Sequence, residues 1–190
     1  MYTKDKRTFP EIETERLFLG EITVGDAEII LEHFSDGEML KYMDFDVITT
    51  REAAEEIIRW GKNLFVNGMG ILWGIYKKDG VFIGTLNYEH TIEDDDNIYT
   101  TEVTYDLARQ YWGKGYMPEA IRSTLDYIFF EENINRIGTK VHVQNYRSAS
   151  VLIKAGFQLE GISRDYWLLK GTMVDVMVFS MLKRDWQKSK

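Results

Sequence analysis

The apolar positions change period repeatedly along the chain, and each change marks an element. Residues 16–22 alternate like a strand. Gly25 and Asp26 then open a helix whose apolar positions are Ala27, Ile30, Leu31 and Phe34. Thr50 is placed to N-cap a second helix, with Ala53, Ala54, Ile57, Ile58, Trp60 and Leu64 on its buried side, and Gly68 and Gly70 end it. Leu72–Tyr76 and Phe82–Tyr88 read as strands joined at Lys78, Asp79 and Gly80, a hairpin signal. A further strand runs from about Tyr99 to Leu107, and a helix over 116–131 carries Met117, Ala120, Ile121, Leu125, Ile128 and Phe129 at helical spacing. Residues 138–143 predict a strand, 147–155 a short helix, and 157–169 with 173–182 a last hairpin around Lys170 and Gly171. Two strands linked through a helix imply a parallel pair beside an antiparallel meander, so the class is α/β or mixed α+β.

At 190 residues one domain is expected, with the ordered core over 12–186. Residues 1–12, the acidic turn Glu93, Asp94, Asp95, Asp96 and Asn97, and the tail after Trp186 read as the flexible pieces. The sequence holds no cysteine, which excludes disulfides, thiolate metal sites and a cysteine nucleophile. His33, His90 and His142 are scattered without ligand spacing, so no metal is expected, and His142 alternates with Val141 and Val143 onto the opposite sheet face. The net charge of −8 argues against nucleic acid as a partner and leaves room for a cationic substrate such as an amine. No apolar run is long enough to cross a membrane, and the basic N-terminal residues have no apolar core behind them. A cytoplasmic protein is the resulting expectation.

Residues 104–117 are the most informative stretch. A strand ends near Leu107, a loop holds Gly113 and Gly115, and a helix starts directly afterwards. Glycines let such a loop turn with positive φ and remove Cβ atoms from a ligand's approach. The helix start adds unpartnered N–H groups and a positive dipole end, which together form a cradle for a pyrophosphate. The spacing is neither a P-loop nor a dinucleotide fingerprint, and two glycines alone also fit a structural turn.

The wider pattern is similar to the GCN5-related N-acetyltransferases. Gln110, Gly113 and Gly115 fit the family's Q/R-x-x-G-x-G/A element. Asn145 and Ser148 fit N-x-x-S, and Lys154, Gly156, Phe157, Glu160 and Gly161 fit K-x-G-F-x-x-E-G. Glu13 to Leu17 and Met181 to Trp186 resemble the branch that acetylates N-termini of ribosomal proteins, so the likeness covers residues 12–186. It implies a mostly antiparallel sheet of about seven strands with a central parallel pair, flanked by about four helices. It also implies acetyl-CoA as co-substrate and a homodimer as one possible assembly. By that resemblance, coenzyme A phosphates rest on backbone amides of Gln110, Tyr111, Trp112, Gly113, Lys114, Gly115 and Tyr116. Lys114 either adds charge there or points to solvent. Backbone groups of Tyr105, Asp106 and Leu107 meet the pantetheine arm, as does the side chain of Asn145, which is equally suited to cap a helix. Tyr42, Met43, Phe45 and Trp60 are candidates to wall the acceptor slot, while Trp73, Phe82, Tyr88 and Trp167 read as core, as does Trp60 on its prior.

The implied chemistry is direct attack of a free amine on the acetyl thioester. A backbone N–H at the end of the 99–107 strand suits the oxyanion. Many family members protonate the leaving thiolate with a tyrosine two residues before the Lys of K-x-G-F; here that position is Leu152, which has no proton to give. Ser148 is the candidate acid, with local helix bonding as its other reading. Glu102 shares a strand face with Thr104 and Asp106 and is the candidate base, or else a surface carboxylate that orients substrate. Freeing an α-amine of its proton at pH 7 costs about 1.2 kcal/mol and freeing a lysine amine about 4.6 kcal/mol, so a weak base suits the α-amine of a protein. The alternatives are a small amine acceptor (a polyamine, an aminoglycoside or an amino acid) or a non-catalytic acyl-CoA-binding sensor, which Leu152 favours.

Overall fold

The computed structural model describes residues 7–93 and 97–189. Its strands are β1 (Ile12–Glu13), β2 (Leu17–Glu21), β3 (Gly70–Lys77), β4 (Phe82–Glu93), β5 (Asn97–Leu107), β6 (Arg136–His142), β7 (Gln158–Leu169) and β8 (Thr172–Leu182). Its helices are α1 (Ala27–Phe34), α2 (Arg51–Val66), α3 (Tyr116–Asp126), α4 (Tyr146–Ala155) and α5 (Lys183–Lys188). One sheet joins all the strands in the order β1-β2-β3-β4-β5-β6-β8-β7, antiparallel throughout except for β5 beside β6. The class is mixed α+β, and the parallel pair sits where the 116–131 helix predicts it. Eight strands and five helices among the described residues exceed the expected seven and four. The additions, β1 and α5, lie at the two ends of the expected core and reach into the segments read as flexible. Ile12 pairs with Leu19, Phe9 packs on Phe65 and Trp73, and Trp73 Nε1 donates to the Pro10 carbonyl at 2.7 Å. At the other end, Trp186 is buried and donates to Asp126 Oδ1 at 2.7 Å. Residues 1–6 and Asp94, Asp95 and Asp96 of the acidic turn lie outside the described residues.

Alternation along β3 divides the core. Ile71, Trp73 and Ile75 face a cluster built with α3 and α4, while Leu72 faces one built from α1, α2, Ile22 and Phe82. The helices start and stop as their sequences dictate. Thr50 Oγ1 accepts from Ala53 N at 3.3 Å, Asn145 Oδ1 accepts from Ser148 N at 3.2 Å, and Gly156 closes α4 at a φ of +103°. The helix over 116–131 is α-helical only to Asp126 and finishes as a π-turn over Tyr127–Glu131. Trp60 departs from its expected place in the core. It is 42% exposed, because it stands at the mouth of a groove instead of under α2.

The fold's principal irregularity lies between β5 and β6. Their pairing covers only Thr100↔Arg136, Thr101↔Ile137 and Glu102↔Gly138. Beyond that point β5 follows β4 as far as Gly84↔Leu107, and β6 follows β8 as far as His142↔Val176. The strands part and leave a gap in the middle of the sheet. Gly84 lets β4 come close to the departing end of β5, since a Cβ there would stand 2.2 Å from the Asp106 carbonyl oxygen. Gly84→Ala is therefore expected to destabilise the protein by about 1–3 kcal/mol, as overpacking usually does. The check is chemical denaturation, and a variant as stable as the parent would contradict this account.

Glu132 ties the π-turn to its surroundings. It accepts from Tyr127 Oη at 2.6 Å, pairs with Arg7, and lies 3.7 Å from His90 Nε2. Burial alone would raise its pKa, but hydrogen bonds from His90 and Tyr127 and the Arg7 charge outweigh burial and bring it down to about 2. A lowered carboxylate pKa contributes stability above the ordinary value of 4.5, and this is lost as pH falls towards 2. Glu132→Gln should accordingly lower the thermal midpoint at pH 7, with the gap to the parent closing between pH 4.5 and 2. Midpoints measured across that range by circular dichroism test it.

Candidate active site

The gap between β5 and β6 opens into a groove of about 1730 Å³, bounded by the ends of both strands, the 109–116 loop, the first turn of α4, and the 35–50 segment with α2. What β5 offers the gap follows from its ladder. The Ala108 N–H donates to the Ile83 carbonyl at 2.8 Å, so in the alternating antiparallel pattern Asp106 and Thr104 also turn their backbone groups to β4. Tyr105 and Leu107 turn theirs the other way, into the gap. The Leu107 carbonyl is taken by Trp112 Nε1 at 2.5 Å, leaving its N–H and both backbone groups of Tyr105 facing an extended ligand. Of the three residues expected to meet the pantetheine arm, Asp106 is the exception. Its backbone is turned to β4, and its carboxylate accepts from Thr85 N at 3.0 Å and Thr85 Oγ1 and pairs with His33 of α1.

The loop has the geometry of an anion cradle. Gly113 has a φ of +74°, and Gly115, at the start of α3, has a φ of +80°; a Cβ at Gly113 would meet nothing within 4 Å, so this glycine serves the turn rather than close packing. A clamp from the N-terminal strands holds the loop. Arg16 donates from Nε to Glu119 Oε2 at 2.6 Å and from Nη1 to the Lys114 carbonyl at 3.0 Å, and its guanidinium lies 4.6 Å from the Tyr116 ring centre. Thr14 Oγ1 donates to the same Glu119 at 2.6 Å. Burial pushes the Glu119 pKa up, but the Thr14 and Arg16 hydrogen bonds prevail and hold it below the ordinary carboxylate value. Thr14 and Arg16 stand in the stretch that carries the branch resemblance, and this clamp is what they do here. Tyr111 and Trp112 are half-buried, and Arg147 lies 4.7 Å over the Trp112 ring. Gln110 and Lys114 are exposed, with Lys114 Nζ 5.5 Å from the Tyr111 ring centre.

Ser148 reaches the gap from the first turn of α4, where its N–H is capped by Asn145. The capping role of Asn145 is thus met, and its side chain also lines the groove. Ser148 Oγ lies 2.7 Å from the Tyr105 hydroxyl, a contact that the sequence pattern does not announce. Leu152, one turn further along α4, is fully buried in the core. The candidate base is placed differently from expectation. Glu102 Oε2 accepts from Lys140 Nζ at 2.8 Å, and it is Lys140 that lines the groove, not Glu102. The carboxylate thus answers a fixed cation instead of standing free beside the gap.

Three further groups come from outside the motifs. His142 shares the Lys140 face, opposite Val141, and lines the groove with its ring 5.0 Å from that of Tyr42. Asn87 Nδ2 donates to Thr104 Oγ1 at 3.3 Å, and its Oδ1 is buried without a hydrogen-bond partner among the described residues. Tyr42, Met43, Phe45 and Trp60 all line the groove, beside the carboxylates of Glu38, Asp44, Asp46 and Glu56. On the α4 side the lining turns basic at Arg147 and Lys154. The groove therefore joins a basic side along α4 to a largely acidic and aromatic side along residues 38–60.

Known proteins resemble the chain along most of its length. The N-acetyltransferase p20 of Bacillus licheniformis, itself uncharacterized, is 36% identical over 174 residues, covering 91% of this chain and 96% of that protein. The [ribosomal protein uS5]-alanine N-acetyltransferase of Escherichia coli is 27% identical over 120 residues, 63% of this chain and 61% of that one. The crystal structure of the ribosomal-protein-S5-alanine acetyltransferase from Vibrio fischeri superposes with a TM-score of 0.80 at 25% identity, covering 93% and 98% of the two chains. The family description "Acetyltransferase (GNAT) domain" matches residues 16–158, from the loop-clamping Arg16 to the start of β7, and the chain accordingly belongs to the GNAT family as an acetyl-CoA-dependent acetyltransferase.

Proposed function

We propose that the protein transfers the acetyl group of acetyl-CoA to the α-amine of a protein N-terminus, a ribosomal protein being the model acceptor. The observation that carries this reading is the Glu102–Lys140 pair. With that carboxylate engaged, deprotonation of the acceptor falls to water in the groove. An α-amine, with its pKa near 7.7–8.0, needs no stronger base, whereas a lysine amine does. The similarity to the uS5-alanine N-acetyltransferase supports the same acceptor class.

The residues divide the work in this reading. Within the loop over Gln110, Tyr111, Trp112, Gly113, Lys114, Gly115 and Tyr116, the Tyr111 and Trp112 amides already donate to the Ala108 and Arg109 carbonyls at 2.9 and 3.1 Å, so the phosphates fall to the amides from Gly113 onward, and the free backbone groups of Tyr105 and Leu107 align the pantetheine arm beside Asn145. The amine nitrogen attacks the thioester carbonyl, and a β5 backbone N–H aimed into the gap stabilises the oxygen as it gains charge. The carbon–sulfur bond breaks, sulfur keeps the electron pair, and Ser148 supplies the proton that makes it a thiol. Glu102 acts from behind Lys140 by fixing that cation in place. A second reading, acetylation of a small polycationic amine, is favoured by the four carboxylates at the mouth.

Mass spectrometry of a mixed panel separates the two. With acetyl-CoA, peptides of varied N-termini should gain one acetyl group on the α-amine, while polyamines, aminoglycosides and free amino acids remain unmodified. The rate on the best peptide should rise with pH and level off near pH 8, where its α-amine has lost its proton. Acetylation confined to small amines, still accelerating towards pH 10, would overturn the N-terminal reading and leave the family assignment intact.

A further inference from the structure

Ser148 is by itself a poor proton donor. An aliphatic hydroxyl ionises about as reluctantly as water, near pH 15.7, so a lone serine gives its proton to a thiolate only at a large cost. The structure sets a second hydroxyl against it. Tyr105 Oη lies 2.7 Å from Ser148 Oγ and 3.1 Å from the Ser148 carbonyl oxygen. One phenolic proton cannot serve both acceptors fully, so the pair has two arrangements. When Tyr105 donates to the carbonyl, Ser148 donates back to the phenol and its own proton is occupied. When Tyr105 donates to Oγ, the serine proton is free to point into the gap.

We propose that Tyr105 is a positioning residue for the acetyl transfer: its hydroxyl donates to Ser148 Oγ, turns the serine proton toward the departing sulfur and shares the charge that develops on Oγ. The inference rests on Ser148 being the acid. Several features of the site hold Tyr105 to this role. Its ring lies on the β5 face that packs beneath α3 and α4, as part of the same cluster as Val103 and Leu107. Burial pushes its phenol pKa up, only partly countered by Ser148, so it stays protonated and available as a donor at neutral pH. The Asn145 cap fixes the backbone of Ser148, so the phenol finds Oγ in one place. Tyr105 also presents its backbone groups to the gap, so the ligand strand and the proton donor share one anchor.

Protons balance in the step. The carbon–sulfur bond breaks, sulfur takes the bonding pair and the Ser148 proton, and the amide carbon–nitrogen bond remains. Ser148 Oγ, now the stronger acceptor for Tyr105, regains a proton through groove water from the nitrogen, which must lose one as it becomes an amide. Tyr105 ends the cycle with the proton it began with.

Tyr105→Phe removes the hydroxyl and keeps the ring. The expected result is a kcat lower by roughly ten- to a hundredfold, within the range of a positioned proton donor. KM for acetyl-CoA and the calorimetric Kd for coenzyme A should stay within about twofold of the parent, because the backbone contacts are untouched. Ser148→Ala should lower kcat at least as far, and adding Tyr105→Phe to it should change nothing more, since one residue acts through the other. A parent-like kcat in Tyr105→Phe overturns the proposal while Ser148→Ala still reads the acid. So does an equal further loss in the double variant, or a Kd for coenzyme A that weakens in step with kcat. A parent-like kcat in Ser148→Ala instead overturns the acid assignment itself. If Tyr105→Phe fails to fold, as its melting curve would show, Ser148→Thr keeps the test. With the hydroxyl and its phenol partner retained, it should keep kcat within tenfold of the parent and well above Ser148→Ala, and a Thr variant as slow as the Ala variant overturns the proposal.

Discussion

The parting of two parallel strands after three residue pairs is the constraint on which the rest of the site depends. A sheet normally satisfies its backbone groups along its whole length, and an interior strand with free N–H and C=O groups is costly. β5 carries such groups because each side of the gap is held by something else. On one side β4 follows β5 closely, with Gly84 against the Asp106 carbonyl and the Asp106 carboxylate bound to Thr85 and His33. On the other side β6 is fully paired with β8. The unpaired stretch is short and lies where a ligand strand completes it, which gives backbone pairing to any extended arm that enters.

Much of this was legible in the chain because local rules and tertiary packing agree there. Apolar periodicity, Thr50 and Asn145 as caps, and the Lys78–Gly80 hairpin each predict an element that forms, and the helix between β5 and β6 predicts their parallel pairing. The glycine loop is legible for the same reason, since Gly113 and Gly115 adopt the positive φ that their spacing suggests. Where the reading departs from the structure, the cause is a long-range partner. Trp60 fits a helical core stripe by period, yet it is 42% exposed and lines a groove that it shares with residues of the 35–50 segment. Glu102 fits the strand face of a base, but Lys140, 38 residues later, takes its carboxylate. Asp106 and His33 are 73 residues apart, and no short-range pattern joins them.

The family motifs also divide by physical role. Gly156 ends α4 with its N–H on the Leu152 and Ile153 carbonyls, and Glu160 binds Arg136 through both oxygens and Ser180 through one. The Arg136 guanidinium, then the Ser180 hydroxyl, hold the Glu160 pKa near 2. Those residues of the K-x-G-F-x-x-E-G element fasten α4 and β7 to the sheet. The stretch around Arg16 likewise fastens the loop through Glu119 and the Lys114 carbonyl. Motifs that read as signatures of an activity are here largely the means by which the cradle and α4 are held in register with β5.

This division explains how the site tolerates Leu152. Residues four apart on a helix share a face, so Ser148 lies one turn, about 5–6 Å, from Leu152 along the same side of α4. With the Leu152 side chain wholly inside the core, the candidate hydroxyl lies one turn toward the Asn145 cap. A phenol is still present beside it, but it comes from β5 instead of α4, since Tyr105 approaches the serine from the sheet side. The strand that parts from β6 thus also carries the aromatic hydroxyl set against Ser148, the proposed acid. A displacement of β5 large enough to misalign its free backbone groups would misalign the Tyr105 hydroxyl as well, so the proposed binding and proton delivery share the same mechanical support.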